Sequence, residues 1–93
     1  MGIDIETYSS APLPKCGVYR YTDAPDFEVL LFSYAYDDGP VVTIDLACGE
    51  VLPADVIAAL NDPTVIKAAY NAQFERVCLS RHLGHWLDMT EAV

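Results

Sequence analysis

One run of the sequence, residues 28–36 (EVLLFSYAY), constrains the fold more than any other. Because it is apolar at successive positions, a strand formed from it would bury both of its faces, as a central strand of a sheet does. The next four residues, 37–40 (DDGP), carry a strong turn signal, and residues 41–46 (VVTIDL) alternate between apolar and polar. We therefore expect a hairpin whose first strand lies inside the sheet.

The residues before this hairpin predict one further strand. Residues 2–7 (GIDIET) alternate, which places two isoleucines on one face and two acids on the other. Residues 9–14 (SSAPLP) have the composition of a loop. Residues 19–21 (YRY) favour an extended segment at the edge of the sheet.

The second half of the chain predicts helix, strand and helix. Pro53 stands where a helix would begin, and apolar residues recur at helical spacing until Asn61. Residues 64–70 (TVIKAAY) favour a strand, and residues 71–82 (NAQFERVCLSRH) a second helix with Asn71 as its N-cap. The predicted order of three strands, helix, strand and helix implies an α/β fold with a mixed sheet, its first three strands antiparallel.

Composition limits the class of protein. Hydrophobic residues form 53% of the 93, which is enough for a core. No apolar run reaches the ~20 residues that a bilayer span requires, and the N-terminus does not resemble a signal peptide, so we expect a cytoplasmic protein without a membrane partner. The net charge of −9 argues against nucleic-acid binding, unless part of the acidity forms a cation site.

Asp4 and Glu6 are the first candidate metal ligands. They are two residues apart on a predicted strand, so both carboxylates leave the same face, with Cα atoms ~6.5 Å apart. Oxygen ligands of this kind suit hard cations such as Mg²⁺ or Mn²⁺. An acid pair at this spacing is also an ordinary pattern of a solvated strand face.

Glu75 is the second candidate. It lies in the predicted first turn of the last helix, on the edge of an apolar stripe that includes Cys78 and Leu79. A carboxylate next to core positions is costly unless it is paired or bound to a metal ion. The alternative is that the acid is simply favoured by the N-terminus of the helix.

These two segments carry a family resemblance. Residues 4–7 (DIET) resemble the first motif of the DEDD superfamily of 3′–5′ exonucleases, and residues 69–76 (AYNAQFER) resemble the second motif. The intervening residues 17–21 and 27–36 are similar to those of the exonuclease domain in phage-type family A DNA polymerases.

The resemblance implies an RNase H-like fold, two divalent ions (Mg²⁺ or Mn²⁺) and removal of nucleotides from a single-stranded DNA 3′ end. It makes Asp4 a ligand shared by both ions, Glu6 a ligand of the ion that activates water, and Glu75 a ligand of the other ion through water. It places Thr7 near the terminal nucleotide, and Asn71 and Phe74 at the helix start, where they would border the bound DNA.

The sequence departs from the family pattern in two ways. The second motif usually ends in Asp, whereas this chain has Glu75, which is one methylene longer. The third motif, a Tyr or His followed by three residues and an Asp on a late helix, has no match after the second motif. We therefore expect residues 1–93 to be the N-terminal part of an exonuclease domain, truncated before the third motif and any polymerase domain, with weak activity or none.

Three hypotheses follow. The first is a piece of a proofreading exonuclease from a phage or prophage DNA polymerase. The second is an RNase H-like module with a structural or interaction role and no catalysis, and the third is an RNA-trimming exonuclease of the same superfamily. An exposed sheet edge in such a fragment would also allow it to form a homodimer.

Overall fold

The computed structural model describes residues 1–37, 39–69, 71–87 and 90–91, with the backbone alone for residues 14–16 and 90–91. The strands are β1 (Gly2–Tyr8), β2 (Glu28–Ala35), β3 (Val42–Asp45), β4 (Ile66–Lys67) and β5 (Thr90–Glu91). The helices are α1 (Leu13–Asp23), α2 (Ala54–Asn61) and α3 (Ala72–Leu83), and a short 3-10 helix (Leu46–Cys48) follows β3.

The sheet has β2 at the centre of an antiparallel β1-β2-β3 unit, which confirms the predicted hairpin and the antiparallel start. β4 and β5 pair in parallel. A parallel bridge between Gly2 and Ala68 joins the two units, because the Ile3 amide donates to the Ala68 carbonyl at 2.9 Å and the Ala68 amide to the Met1 carbonyl at 2.9 Å. β1 therefore lies between β2 and β4.

A β-bulge interrupts the pairing of β1 with β2. Glu6 pairs with Leu31 but Thr7 pairs with Val29, so Leu30 is the extra residue. Without the bulge, Val29 and Phe32 would face opposite sides, because they are three residues apart. With it, both are buried on the same face, at 1% and 0% exposure.

The helices cover one face of the sheet. Apolar residues of β1, β2 and β3 form a single buried cluster with residues of α2, α3 and the segments before α2 and after α3: Ile3, Ile5, Val29, Phe32, Ile44, Leu52, Val56, Leu60, Cys78, Leu79 and Leu87. On the opposite face lie exposed acids of β1 and a hydrogen bond of 2.9 Å between the hydroxyls of Ser33 and Thr43. The core therefore sits between the sheet and the helices.

The predicted edge segment at residues 19–21 is wrong, since these residues lie in α1, and so do the last two residues of the predicted loop 9–14. The order of elements changes accordingly, with a helix between the first two strands. The tyrosines favoured an extended chain, but burial of Tyr21 and Thr22 on one side of a helix outweighs that local preference.

The predicted strand at residues 64–70 is reduced to β4 and the bridge at Ala68, and Tyr70 lies outside the described residues. The start of the segment is a turn instead. Its hydrogen bonds run from the Thr64 amide and hydroxyl to the Asp62 carboxylate at 2.9 and 2.7 Å, and from the Val65 amide to the Asp62 carbonyl at 3.1 Å.

The two predicted helices of the second half are confirmed. α2 follows Pro53, and α3 is capped by Asn71, whose side-chain oxygen accepts a hydrogen bond from the Phe74 amide at 3.3 Å. After α3, the Leu87 amide donates to the Ser80 hydroxyl at 3.0 Å and the Arg76 Nε donates to the Leu87 carbonyl at 2.8 Å. These bonds hold the buried Leu87 side chain against α3.

The inward orientation of Val29 that the bulge produces can be tested by mutation. Val29→Ala should lower the free energy of unfolding by about 2 kcal/mol, because it removes buried methyl groups and leaves a cavity. Val42→Ala makes the same chemical change on a strand position that is 40% exposed, and should cost less than about 0.5 kcal/mol. Urea unfolding followed by circular dichroism measures both; equal losses would contradict the inward orientation of Val29.

Candidate functional site

β1 presents Asp4 and Glu6 on its exposed face, as the alternation predicted. Both carboxylates are exposed, whereas Ile3 before them and Ile5 between them are 6% and 7% exposed. Asp4 pairs with Ser33 and Glu6 with Leu31, the last pair before the bulge. Bulges occur often next to active sites because they re-aim the side chains that follow.

α3 places Glu75 in its first turn, and this carboxylate is buried. The side chain is 5% exposed, and its Oε2 is a buried oxygen with no hydrogen-bond partner among the described residues. A buried carboxylate oxygen without a partner is unusual in folded proteins, because desolvation is costly unless a hydrogen bond or a cation compensates it.

Burial raises the pKa of the Glu75 carboxyl above its ordinary value, and this is the largest influence on it. The amide of Glu75 itself lowers the pKa, the negative charge of Asp4 raises it, and the amide of Asn71 lowers it. The net effect is a carboxyl that holds its proton more tightly than an exposed glutamate does. The contribution of Asp4 shows that its charge acts on the Glu75 carboxyl.

The structure brings these acids into one region without assembling them. In the part of the chain that is described, no three His, Cys, Asp or Glu side chains form a group that could hold a metal ion. Asp4 acts on Glu75 through its charge, and Glu6 lies on the same strand face as Asp4. The donor chemistry suits Mg²⁺ or Mn²⁺, since it consists of carboxylate oxygens and one of them lacks a partner.

Thr7, Asn71 and Phe74 have structural partners. The Thr7 hydroxyl is 2.9 Å from the Tyr21 hydroxyl, Asn71 caps α3, and Phe74 packs against Tyr21 with ring centroids 5.9 Å apart. The predicted N-cap role of Asn71 is confirmed. Contact of these three residues with DNA stays a prediction.

Tyr21 is the residue that the sequence analysis missed. It is 9% exposed and contacts Thr7, next to the first acidic motif, and Phe74, in the second. The sequence had predicted an extended edge segment for this residue. A signal was present in the spacing of Val18, Tyr21 and Thr22, which is that of one face of a helix. In the structure Tyr21 and Thr22 are buried and Val18 packs against the core.

A groove of about 450 Å³ opens beside Asp4. Its lining is mostly apolar and combines small with larger residues: Gly2, Ser33, Ala35, Ala68 and Ala69 lie beside Asp4, together with Ile3, Tyr34 and Val41. A groove of this volume can hold a small organic ligand next to a carboxylate.

The buried thiol near Glu75 does not offer a nucleophile. Burial, and then the charge of Glu75, raise the pKa of Cys78 to about 12, so it is protonated at neutral pH.

The burial of Glu75 predicts a stability change. Because its pKa is raised above 4.5, the folded state binds protons more tightly than the unfolded state; that stabilisation is present at low pH and is lost as the pH rises through the folded pKa. Glu75→Gln should therefore raise the free energy of unfolding at pH 7, with the gain disappearing below about pH 4. Glu28→Gln, an exposed position, is the control in thermal unfolding; a pH-independent effect of Glu75→Gln would contradict this account.

The Asp4 charge predicts a second change. Asp4→Asn should lower the pKa of Glu75, because it removes a negative charge that opposes ionisation. Titration of the Glu75 side-chain carbon by NMR measures this directly. Asp55→Asn, on the exposed side of α2, should leave the titration of Glu75 unchanged.

The chain is 61% identical over 84 residues to a DNA polymerase of Bacillus phage SP02, and these residues are 90% of this chain and 13% of that protein. No family model matches the chain, and no solved structure matches it. In the described residues, no helix has the length and apolarity to cross a membrane. The chain is therefore similar to one segment of a phage DNA polymerase and spans about an eighth of its length.

Proposed function

We propose that this chain is part of a phage-type DNA polymerase and forms the N-terminal part of its 3′–5′ exonuclease domain. The observation that carries the proposal is the 61% identity to a phage DNA polymerase, and the charge of Asp4 acting on the buried Glu75 carboxyl supports it. Proofreading by such a domain removes nucleotides from a single-stranded DNA 3′ end, in the cytoplasm of the infected bacterial cell.

The strand arrangement supports the RNase H-like assignment. β1 lies between the antiparallel β2 and the parallel β4, and the first acidic motif is on β1. The second motif follows β4 at the start of α3. The first acidic motif therefore lies on β1, and the second follows β4, the neighbour of β1.

The partnerless oxygen of Glu75 supports the proposed metal site. Asp4 and Glu6 would hold divalent ions directly, and Glu75 would contribute its carboxylate from the opposite side. When bound, two Mg²⁺ or Mn²⁺ ions supply an activated water and stabilise the leaving 3′ oxygen. Asp4, Glu6 and Glu75 would hold those ions in place, and the Glu75 side chain, at 5% exposure, is shielded from bulk water.

The groove beside Asp4 is the proposed place for the terminal nucleotide. Its glycine and alanine residues would let a ring lie close to the backbone, and Tyr34 and Val41 would add apolar contacts, next to the acid that would bind metal. Thr7 follows Glu6 on the same strand and would border the scissile end.

Metal binding tests the proposal. Mn²⁺ added to the chain should broaden the NMR signals around Asp4 and Glu75, with weak affinity of about 10⁻³ M, since three carboxylates are an incomplete ligand set. Asp4→Ala should abolish the effect, and Asp55→Ala should not. Binding that ignores the Asp4 substitution would refute the metal site.

Activity requires the longer protein. In a polymerase that contains this segment, Asp4→Ala together with Glu6→Ala should reduce 3′–5′ degradation of single-stranded DNA by at least about 10³-fold while nucleotide incorporation is retained. Matched DNA and RNA oligonucleotides separate proofreading from RNA trimming. Loss of incorporation and degradation together would point to a folding defect instead.

A second candidate function is a non-catalytic module with the same fold. The observation in its favour is that the described acids do not form a three-ligand group, in a chain of net charge −9. β3, at one edge of the antiparallel unit, carries the exposed Val42 and suits pairing with another copy or a protein partner. Dimerisation in sedimentation experiments, with no response to Mn²⁺, would favour this function.

A further inference from the structure

Tyr21 contacts the neighbours of both acidic motifs. Its hydroxyl is 2.9 Å from the Thr7 hydroxyl, and Thr7 directly follows Glu6 in β1. Its ring packs against Phe74 at 5.9 Å between centroids, and Phe74 directly precedes Glu75 in α3. One side chain from α1 therefore links the two segments that carry the acids.

The environment of Tyr21 is suited to holding a position. The ring also meets Phe27 edge-on at 5.8 Å, and the side chain is 9% exposed. The Tyr21 carbonyl accepts a hydrogen bond from the Ser9 hydroxyl at 2.7 Å, which ties the end of α1 to the residues just after β1. Both the backbone and the ring of Tyr21 are thus fixed.

Thr7 is the residue of β1 whose position depends most on a contact from outside the sheet. The bulge shifts the register between Glu6 and Thr7, so regular pairing with β2 is interrupted at this point. The strand is not aligned by an unbroken ladder there, and the hydroxyl pair supplies an additional fixed contact on the side of the core.

We propose that Tyr21 is a positioning residue, which aligns the end of β1 and the start of α3 so that Glu6 and Glu75 face a common site. The proposal rests on the proposed function for its biological meaning. Its structural content, that the Tyr21 hydroxyl fixes Thr7, can be measured without metal or DNA.

The first measurement is of Thr7 itself. Tyr21→Phe keeps the ring contacts with Phe74 and Phe27 and removes only the hydroxyl. NMR three-bond couplings should show that Thr7 occupies one χ1 rotamer in the unmodified chain and averages over several in Tyr21→Phe. Tyr19→Phe makes the same change on α1 at a position that is 58% exposed, and should leave Thr7 fixed.

The second measurement is of the site. Tyr21→Phe should weaken Mn²⁺ binding by about threefold to tenfold, as expected for the loss of one organising hydrogen bond, and Tyr19→Phe should not. Thr7→Val should have the same effect as Tyr21→Phe, and the double variant should be no worse than either alone, because both remove the same contact.

The outcomes separate the two proposals. If the unmodified chain does not bind Mn²⁺, the metal site fails, and the Thr7 couplings still decide the role of Tyr21. If Mn²⁺ binds and Tyr21→Phe matches Tyr19→Phe in both measurements, the positioning role is overturned while the metal site stands. Additive losses in the double variant would also overturn it, since they would show that the two hydroxyls act separately.

Discussion

The burial of the Glu75 carboxylate beside β1 is the interaction on which the rest of the site depends. α3 must bring its apolar stripe onto the sheet to close the core, and Cys78 and Leu79 are fully buried there. Glu75 is carried inward by the same helix, so the cost of its desolvation is linked to the packing of the core. Burial and the negative charge of Asp4 both disfavour the ionised form of Glu75. The region that contains the two acidic motifs is therefore less stable than an apolar residue at this position would make it.

The elements around this acid explain why the first helix matters. β1 presents Asp4 and Glu6 on a solvated strand face, and α3 buries Glu75. Neither element by itself sets the position of Glu75 relative to Asp4 and Glu6. α1 contacts both β1 and α3, because Tyr21 contacts Thr7 of β1 through its hydroxyl and Phe74 of α3 through its ring. The relative position of the two motifs is thus a tertiary property supplied by a third segment, which has no acid of its own in the site.

Much of the fold was accessible from the sequence where local and tertiary preferences agree. The hairpin of β2 and β3, the Asn71 cap and the alternation that exposes Asp4 and Glu6 all follow from short-range patterns. α1 was harder to recognise, because its tyrosines favour extended backbone, and only the tertiary packing of Val18, Tyr21 and Thr22 shows that their helical spacing outweighs that preference. The bulge at Leu30 was equally hidden, since a run of consecutive apolar residues gives no indication of which one is unpaired. The burial of Glu75 was foreseen only in part, from its place at the edge of an apolar stripe.

Part of the net charge of −9 comes from acids that accept hydrogen bonds in caps and turns. The Asp45 carboxylate caps the short 3-10 helix at the Cys48 amide, the Asp62 carboxylate holds the turn at Thr64, and Asp26 accepts hydrogen bonds from Ser10. The Ser10 amide and hydroxyl lower the pKa of Asp26, and the Thr64 hydroxyl and amide lower the pKa of Asp62, so these side chains stay ionised as part of their turns. Asp26 and Asp62 lie outside the strands, whereas Asp45 ends β3 and pairs with Leu31, which is also the partner of Glu6. The overall acidity therefore does not measure the electrostatics of the proposed DNA site, which depend on the few carboxylates that a divalent ion would neutralise.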